Sequence, residues 1–327
     1  MSSIYTFEQL DSAYVKAEEI MKDRAVSFYQ AFKELPRQRF KAVAALYAFC
    51  RYADDAVDHA PEDDPQGMLN NLEQLESQVL GLYQKPFDSL KSERKLKPAS
   101  ELVQDTNPWW PAFEDTVKSW QIPKDGLINQ IQGQRQDAEF KGIETVADLV
   151  EYGRLVAGSV GIMMVPILVH EDSDWKRPDF LKACEDLGVA MQITNILRDV
   201  GEDLRTRDRL YLPLNLLKKY GVSLQELKVL VDKPKTINIT ADIPDGFVKL
   251  WEELAELADE YYSSYEDWLD FFHPTSRLPL VAAAKIYRGI ADAVRASDYN
   301  CFTKRCYTNE TTRAKLLVEA FEQVENY

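Results

Sequence analysis

The stretch Gln192-Ile193-Thr194-Asn195-Ile196-Leu197-Arg198-Asp199-Val200-Gly201-Glu202-Asp203 decides the fold. Met191, Ile193, Ile196 and Leu197 recur at helical spacing, so the segment reads as a helix with a core-facing side. The step from Asp199 to Asp203 puts two carboxylates on one stripe, one turn apart. Asn195, four residues before Asp199, lengthens the stripe; Gln192 lies a turn further back and Arg198 stands beside the pair. Carboxylates sharing a stripe repel one another unless a cation sits between them. Acids that continue a core-facing stripe are costly unless paired or metal-bound.

The pattern occurs a second time, in Tyr47-Ala48-Phe49-Cys50-Arg51-Tyr52-Ala53-Asp54-Asp55-Ala56-Val57-Asp58. Asp54 and Asp58 share a stripe, Arg51 precedes them, and Leu46, Tyr47, Phe49 and Cys50 form a core-like turn ahead. One acidic pair on a helix is as well explained by a solvated face. Two pairs, each with an arginine, favour hard oxygen ligands for Mg²⁺ and a phosphate-bearing substrate.

Outward from these stretches, helical periodicity dominates and alternation of period two is scarce. Helices are expected at 8–33, 37–59, 67–84, from Trp109 to before Pro123, at 124–139, 145–169, 178–203, 245–272, 275–297 and 309–325, plus a short one after Pro213. Residues 61–65 read as a polar turn, 204–213 as a charged loop and 222–243 as a connector. Residues 86–109, with Lys91, Arg94, Lys95 and Lys97 crowded before Pro98, read as a surface insertion. Ala157, Gly158 and Gly161 cost helix propensity, and serve either tight helix packing or a pocket wall. The expected architecture is all-α, one domain over 1–327.

Several function classes are disfavoured. The chain has 327 residues and a formal charge of −15, which leaves no basic face for nucleic acid. Cys50, Cys184, Cys301 and Cys306 form no CxxC pair, and His59, His170 and His273 have no partner at metal spacing. The first residues carry neither a basic nor an apolar secretory region, and no run of ~18 apolar residues is free of charge. A cytoplasmic chain with four free thiols and no spanning helix is expected.

Together these motifs resemble the squalene/phytoene synthase family, which joins two isoprenoid diphosphates head to head. The resemblance is carried by Asp54-Asp55-Ala56-Val57-Asp58, by Asn195 to Asp203 followed by Arg209-Leu210-Tyr211-Leu212-Pro213, by Tyr152 with Val156-Ala157-Gly158 and Gly161, and by Ser27-Phe28 through Leu35-Pro36. It spans roughly residues 20 to 315. Within the family the chain looks closest to bacterial dehydrosqualene (4,4′-diapophytoene) synthases and phytoene synthases.

The resemblance implies an isoprenoid-synthase-type helical bundle with a central substrate cavity. It implies that Asp54, Asp58, Asn195, Asp199 and Asp203 hold two or three Mg²⁺ ions, with Arg51 and Arg198 catalytic beside the aspartates. Arg24, Ser27, Tyr47, Arg51, Gln192 and Arg198 would contact diphosphate or the first isoprenoid unit. Arg24 stands where some relatives have histidine. Tyr152, Tyr211 and Tyr299 would meet substrate, and Phe32 and Ala44 would set tail length. The expected activity is a prenyltransferase of carotenoid biosynthesis, condensing two farnesyl diphosphates through presqualene diphosphate to dehydrosqualene without NADPH. An apolar product implies peripheral contact with the inner face of a membrane. Rival readings are a phytoene synthase using two geranylgeranyl diphosphates, a terpene cyclase, and a non-catalytic scaffold relative, whose mark would be loss of the aspartates. Oligomeric state has no signature here.

Overall fold

The computed structural model describes residues 5–58, 65–84 and 107–327, without the side chains of Ser27, Asp58 and Pro65. Residues 86–106 of the expected insertion and the turn at 61–64 lie outside the described residues. Asn107, near the end of the expected surface segment, is buried, while Trp109, expected at the start of an inward-packing helix, is buried against Tyr52 and Phe113. Among the described residues there is no strand, only an isolated antiparallel bridge between Val169 and Phe272. The fold is all-α, as expected.

The chain packs as two compact units. The first comprises residues 1–139, 162–175 and 271–279; the second comprises 140–161, 176–270 and 280–327.

In the first unit, α1 (Phe7–Arg24) opens on a capping box in which Thr6 and Gln9 satisfy each other's backbone. The expected helix over 8–33 breaks at Ala25, whose φ of −136° is not helical, and resumes as α2 (Val26–Phe32). Ala25 carries no side-chain signal for a break, which is why the periodicity runs through it. α3 (Arg37–Asp58) packs on α1, on α4 (Pro65–Tyr83), on α5 (Trp110–Ser119) and on α6 (Lys124–Ala138). Its buried side carries Phe49, stacked on Phe113 with ring centroids 4.6 Å apart.

In the second unit, α7 (Val146–Gly153) runs into a π turn, Arg154–Gly158, and continues as α8 (Ser159–Leu168), whose residues from Ile162 on belong to the first unit. The helical stretch Val146–Leu168 has the length and mean hydropathy, 1.2, of a membrane-crossing helix, although no such stretch was expected. Its packing is that of a core helix. Arg154 forms an ion pair with Glu185, and Gly158 and Gly161 let the backbone of residues 184–185 come close. A Cβ at Gly161 would stand 3.0 Å from the Cys184 carbonyl carbon. The small residues thus serve helix packing.

α9 (Pro178–Arg207) is the long central helix of this unit, packed on α7, the π turn, α11 (Leu224–Val231) and α12 (Asp245–Tyr262). It runs four residues past its expected end. Leu204 is buried, and Arg205 Nη2 donates to the carbonyls of Val231 at 3.2 Å and Phe302 at 2.7 Å, so the extra turn is held by packing. Asp208, with φ of 50°, ends it. α10 (Leu214–Tyr220) follows. The expected connector 222–243 contains α11, announced by the Ser223–Glu226 capping box. The expected helix over 245–272 stops at Tyr262 and gives way to 3₁₀ turns at Glu266–Phe271. α13 (Pro274–Arg295) and α14 (Glu310–Glu325) complete the fold. All four cysteines are free thiols.

Candidate active site

α3 carries the first aspartate motif. Leu46, Phe49, Ala53 and Val57 bury one side of the helix, which sets Tyr47, Arg51 and Asp54 on the next. Arg51 Nη1 lies 3.4 Å from Asp54 Oδ2, and Arg51 Nη2 closes on Asp55 Oδ1. Gln134 of α6 donates from Nε2 to Asp54 Oδ1 at 3.0 Å. Cys50 lies beneath: burial, with Asp54 nearby, pushes its thiol far above the ordinary range, so it is no nucleophile. The side chains of Asp58 and Ser27 lie outside the described residues.

Arg24 ends α1 and, with Arg51, Tyr52 and Asp55, borders an open depression of about 260 Å³. Above Tyr47 sits an aromatic cluster. Phe28 is 6.2 Å from Tyr47 and 4.6 Å from Phe32 by ring centroids. Phe32 is 2 % exposed and Ala44 0 %, so both belong to a packed interior.

α9 carries the second motif. Arg198 grips Asp199 in a fork: Nε donates to Oδ1 at 2.7 Å, and Nη2 to Oδ2. The pair is largely buried, at 14 % and 15 % side-chain exposure. Burial works against the Arg198 charge, yet the bond to Asp199 carries its pKa above the ordinary arginine value. Arg305 reaches the same carboxylate, Nε to Oδ1 at 3.3 Å, and also meets Glu202 at 3.3 Å. Tyr287 of α13 lies beside them; burial pushes its phenol up against the opposing pull of Arg198, so it stays a neutral O–H.

Asn195 sits one turn before Asp199, with its Oδ1 buried and without a hydrogen-bond partner among the described residues. A buried amide oxygen is normally satisfied, so an orphan here is aimed at something else. Asp203 lies one turn beyond Asp199, on the stripe that the spacing predicts, and Gln192 one turn before Asn195. Among the described residues no three His, Cys, Asp or Glu side chains cluster as metal ligands. Asp54 faces Arg51 with Oδ2 and Gln134 with Oδ1, and Asp199 faces arginines.

The predicted tyrosines divide. Tyr152 and Tyr211 are buried and stacked, 5.3 Å apart, and Tyr211 also packs on Phe140 at 4.7 Å. Tyr299 has φ of 59°, donates its hydroxyl to Glu252 at 2.6 Å and sits edge-on to Trp251. Sequence reasoning passed over Gln134, Tyr287 and Arg305. Gln134 had a signal, because Gln130, Gln134 and Asp137 recur at helical spacing on α6. Tyr287 lies in an apolar run, and Arg305 in a loop without periodicity.

Comparison with known proteins gives the family. Residues 21–312 match the family model described as squalene/phytoene synthase. The chain is 31 % identical over 308 residues to a 4,4′-diapophytoene synthase of Staphylococcus haemolyticus, covering 94 % of this chain and 95 % of that one. It is 29 % identical over 313 residues to phytoene synthase 2, chloroplastic, of Oryza sativa subsp. japonica, covering 95 % of this chain and 71 % of that one. Among solved structures, a dehydrosqualene synthase in complex with ligand superposes with a TM-score of 0.77 at 32 % identity, covering 98 % of this chain and 99 % of that one. The chain therefore belongs to the squalene/phytoene synthase family, and is a prenyltransferase-type enzyme of isoprenoid and carotenoid biosynthesis.

Proposed function

We propose that this chain condenses two farnesyl diphosphates head to head, through presqualene diphosphate, to dehydrosqualene (4,4′-diapophytoene). The observation that carries the reading is its likeness, along 98 % of its length, to a dehydrosqualene synthase structure. The aromatic pair Phe28–Phe32 supports the shorter substrate, since two rings fill the space beyond Tyr47. A second reading, two geranylgeranyl diphosphates giving phytoene, is favoured by the similarity to the rice phytoene synthase and by the small side chain of the buried Ala44.

Mg²⁺ suits the donors present. All are oxygens, and the orphaned Asn195 Oδ1 is the kind of buried acceptor that a hard cation satisfies. Asp54 and Asp58 would hold it on α3, and Asn195, Asp199 and Asp203 on α9. When bound, it neutralises diphosphate and makes it a better leaving group. Arg51 and Arg198, released from their aspartates, supply fixed forks for diphosphate oxygens. Loss of diphosphate from one substrate leaves an allylic cation; the double bond of the other attacks it, and loss of a proton closes the cyclopropane to give a cyclopropylcarbinyl diphosphate. Loss of the second diphosphate, rearrangement of the cation and loss of a proton give the linear hydrocarbon. Aromatic faces such as Phe28 and Tyr47 stabilise positive charge and keep water from quenching it. Dehydrosqualene or phytoene forms without a hydride donor, so no NADPH enters. The hydrocarbon leaves into a bilayer, which puts the enzyme in the cytoplasm against the inner membrane face; vesicle flotation checks this.

The experiment incubates the protein with Mg²⁺ and either diphosphate, with and without NADPH, and weighs the extracted hydrocarbon. A C30 product unchanged by NADPH is expected. A predominantly C40 product overturns the farnesyl reading, and a cyclic product overturns the head-to-head one.

A further inference from the structure

α6 carries polar side chains where a packed helix usually carries apolar ones. Gln130, Gln134 and Asp137, at i, i+4 and i+7, are 3 %, 3 % and 8 % exposed. Burying a carboxamide is costly unless its polar atoms are bonded. Among the described residues Gln134 meets that cost across 80 residues of chain: its Nε2 donates to Asp54 Oδ1 at 3.0 Å.

Gln134 and Arg51, both bonded to Asp54, differ in kind. Arg51 brings a positive charge, which competes with any cation for the carboxylate, and its other nitrogen is drawn onto Asp55. The Gln134 amide brings no net charge. It directs one oxygen of Asp54 and leaves the group ionised. An arginine or lysine in its place would orient Asp54 equally well but would also neutralise it.

We infer that Gln134 is a positioning residue, whose carboxamide fixes the orientation of the Asp54 carboxylate for a divalent cation while leaving its charge available. The inference rests on the metal-ligand reading of Asp54 proposed above. Hydrogen-bond partners of metal ligands typically control metal affinity by about 10–100-fold.

The test uses the full-length protein without substrate and Mn²⁺ as probe, with free Mn²⁺ followed by its electron paramagnetic resonance signal. Asp54→Ala first identifies the class of Mn²⁺ sites that depends on this carboxylate. Gln134→Met keeps volume and flexibility but removes the donor, and should weaken that class about 10–100-fold. Gln134→Lys keeps a donor and adds charge, and should weaken it at least as much while the melting temperature holds or rises. Unchanged Mn²⁺ affinity in both Gln134 variants, with only a lower melting temperature for Gln134→Met, overturns the inference and leaves Gln134 a packing residue. Unchanged affinity in Asp54→Ala itself overturns the metal reading of Asp54, and the inference with it.

Discussion

Gly201 lies inside the second aspartate motif, between Asp199 and Asp203, and its replacement by alanine tests how that motif is held. A Cβ there would stand 2.6 Å from the carbonyl carbon of Phe302 and closer still to its oxygen and Cα. Ordinary contact begins near 3.4 Å, so one backbone must retreat by more than about 0.8 Å, since the oxygen and Cα lie closer than the carbonyl carbon. The Phe302 loop is poorly able to do so. Its carbonyl accepts from Arg205 at 2.7 Å, its ring packs on Phe247 at 4.8 Å, and the Gly201 N–H donates to the Cys301 carbonyl at 3.0 Å. Overpacking of this kind costs about 1–3 kcal/mol, from which the better helix propensity of alanine recovers at most ~1 kcal/mol. For a chain of this length a loss of 1–2 kcal/mol lowers the melting temperature by about 1.5–3 °C. Displacement of the loop also draws Arg305 off Asp199, so activity should fall more than stability. The assay is thermal unfolding of the metal-free protein beside Gly81→Ala, whose Cβ would meet nothing within 4 Å. That control sits in α4 and should gain about 0.4–1 kcal/mol. Equal stabilisation by both substitutions would refute the close approach at Gly201.

Asp199→Ala should abolish turnover and, because it leaves Arg198 buried without its carboxylate, also lower stability by about 1–3 kcal/mol; mere relief of repulsion between aspartates would instead raise the melting temperature. Phe32→Ala should cost about 3 kcal/mol or more and raise the C40 to C30 product ratio in a mixed-substrate competition, whereas an unchanged ratio makes Phe32 an ordinary core ring. Burial, with Arg39 and His170 nearby and Glu171 opposing, holds His273 below its ordinary pKa of 6.5. Below that pH the unfolded chain binds a proton that the folded chain still refuses, so stability falls as pH drops through about 6.5, and His273→Gln should flatten that part of a denaturant-midpoint profile.

The sequence by itself determined the helical class, the two acidic stripes and the arginine attached to each. These are local facts: helical period, a four-residue carboxylate step and a neighbour within one turn are all written in consecutive residues. Helix ends were less legible where the deciding contact is distant. α9 gains its last turn from Arg205 bonding to Val231 and Phe302. The break at Ala25 has no local mark at all, whereas α11 had one, the Ser223–Glu226 capping box, inside a stretch read as a connector. Only the tertiary structure assigned partners to the aspartates. Gln134 comes to Asp54 from 80 residues away, and Arg305 to Asp199 from 106. Such pairs depend on which faces of packed helices and loops meet, and a buried polar atom takes whichever donor that packing supplies.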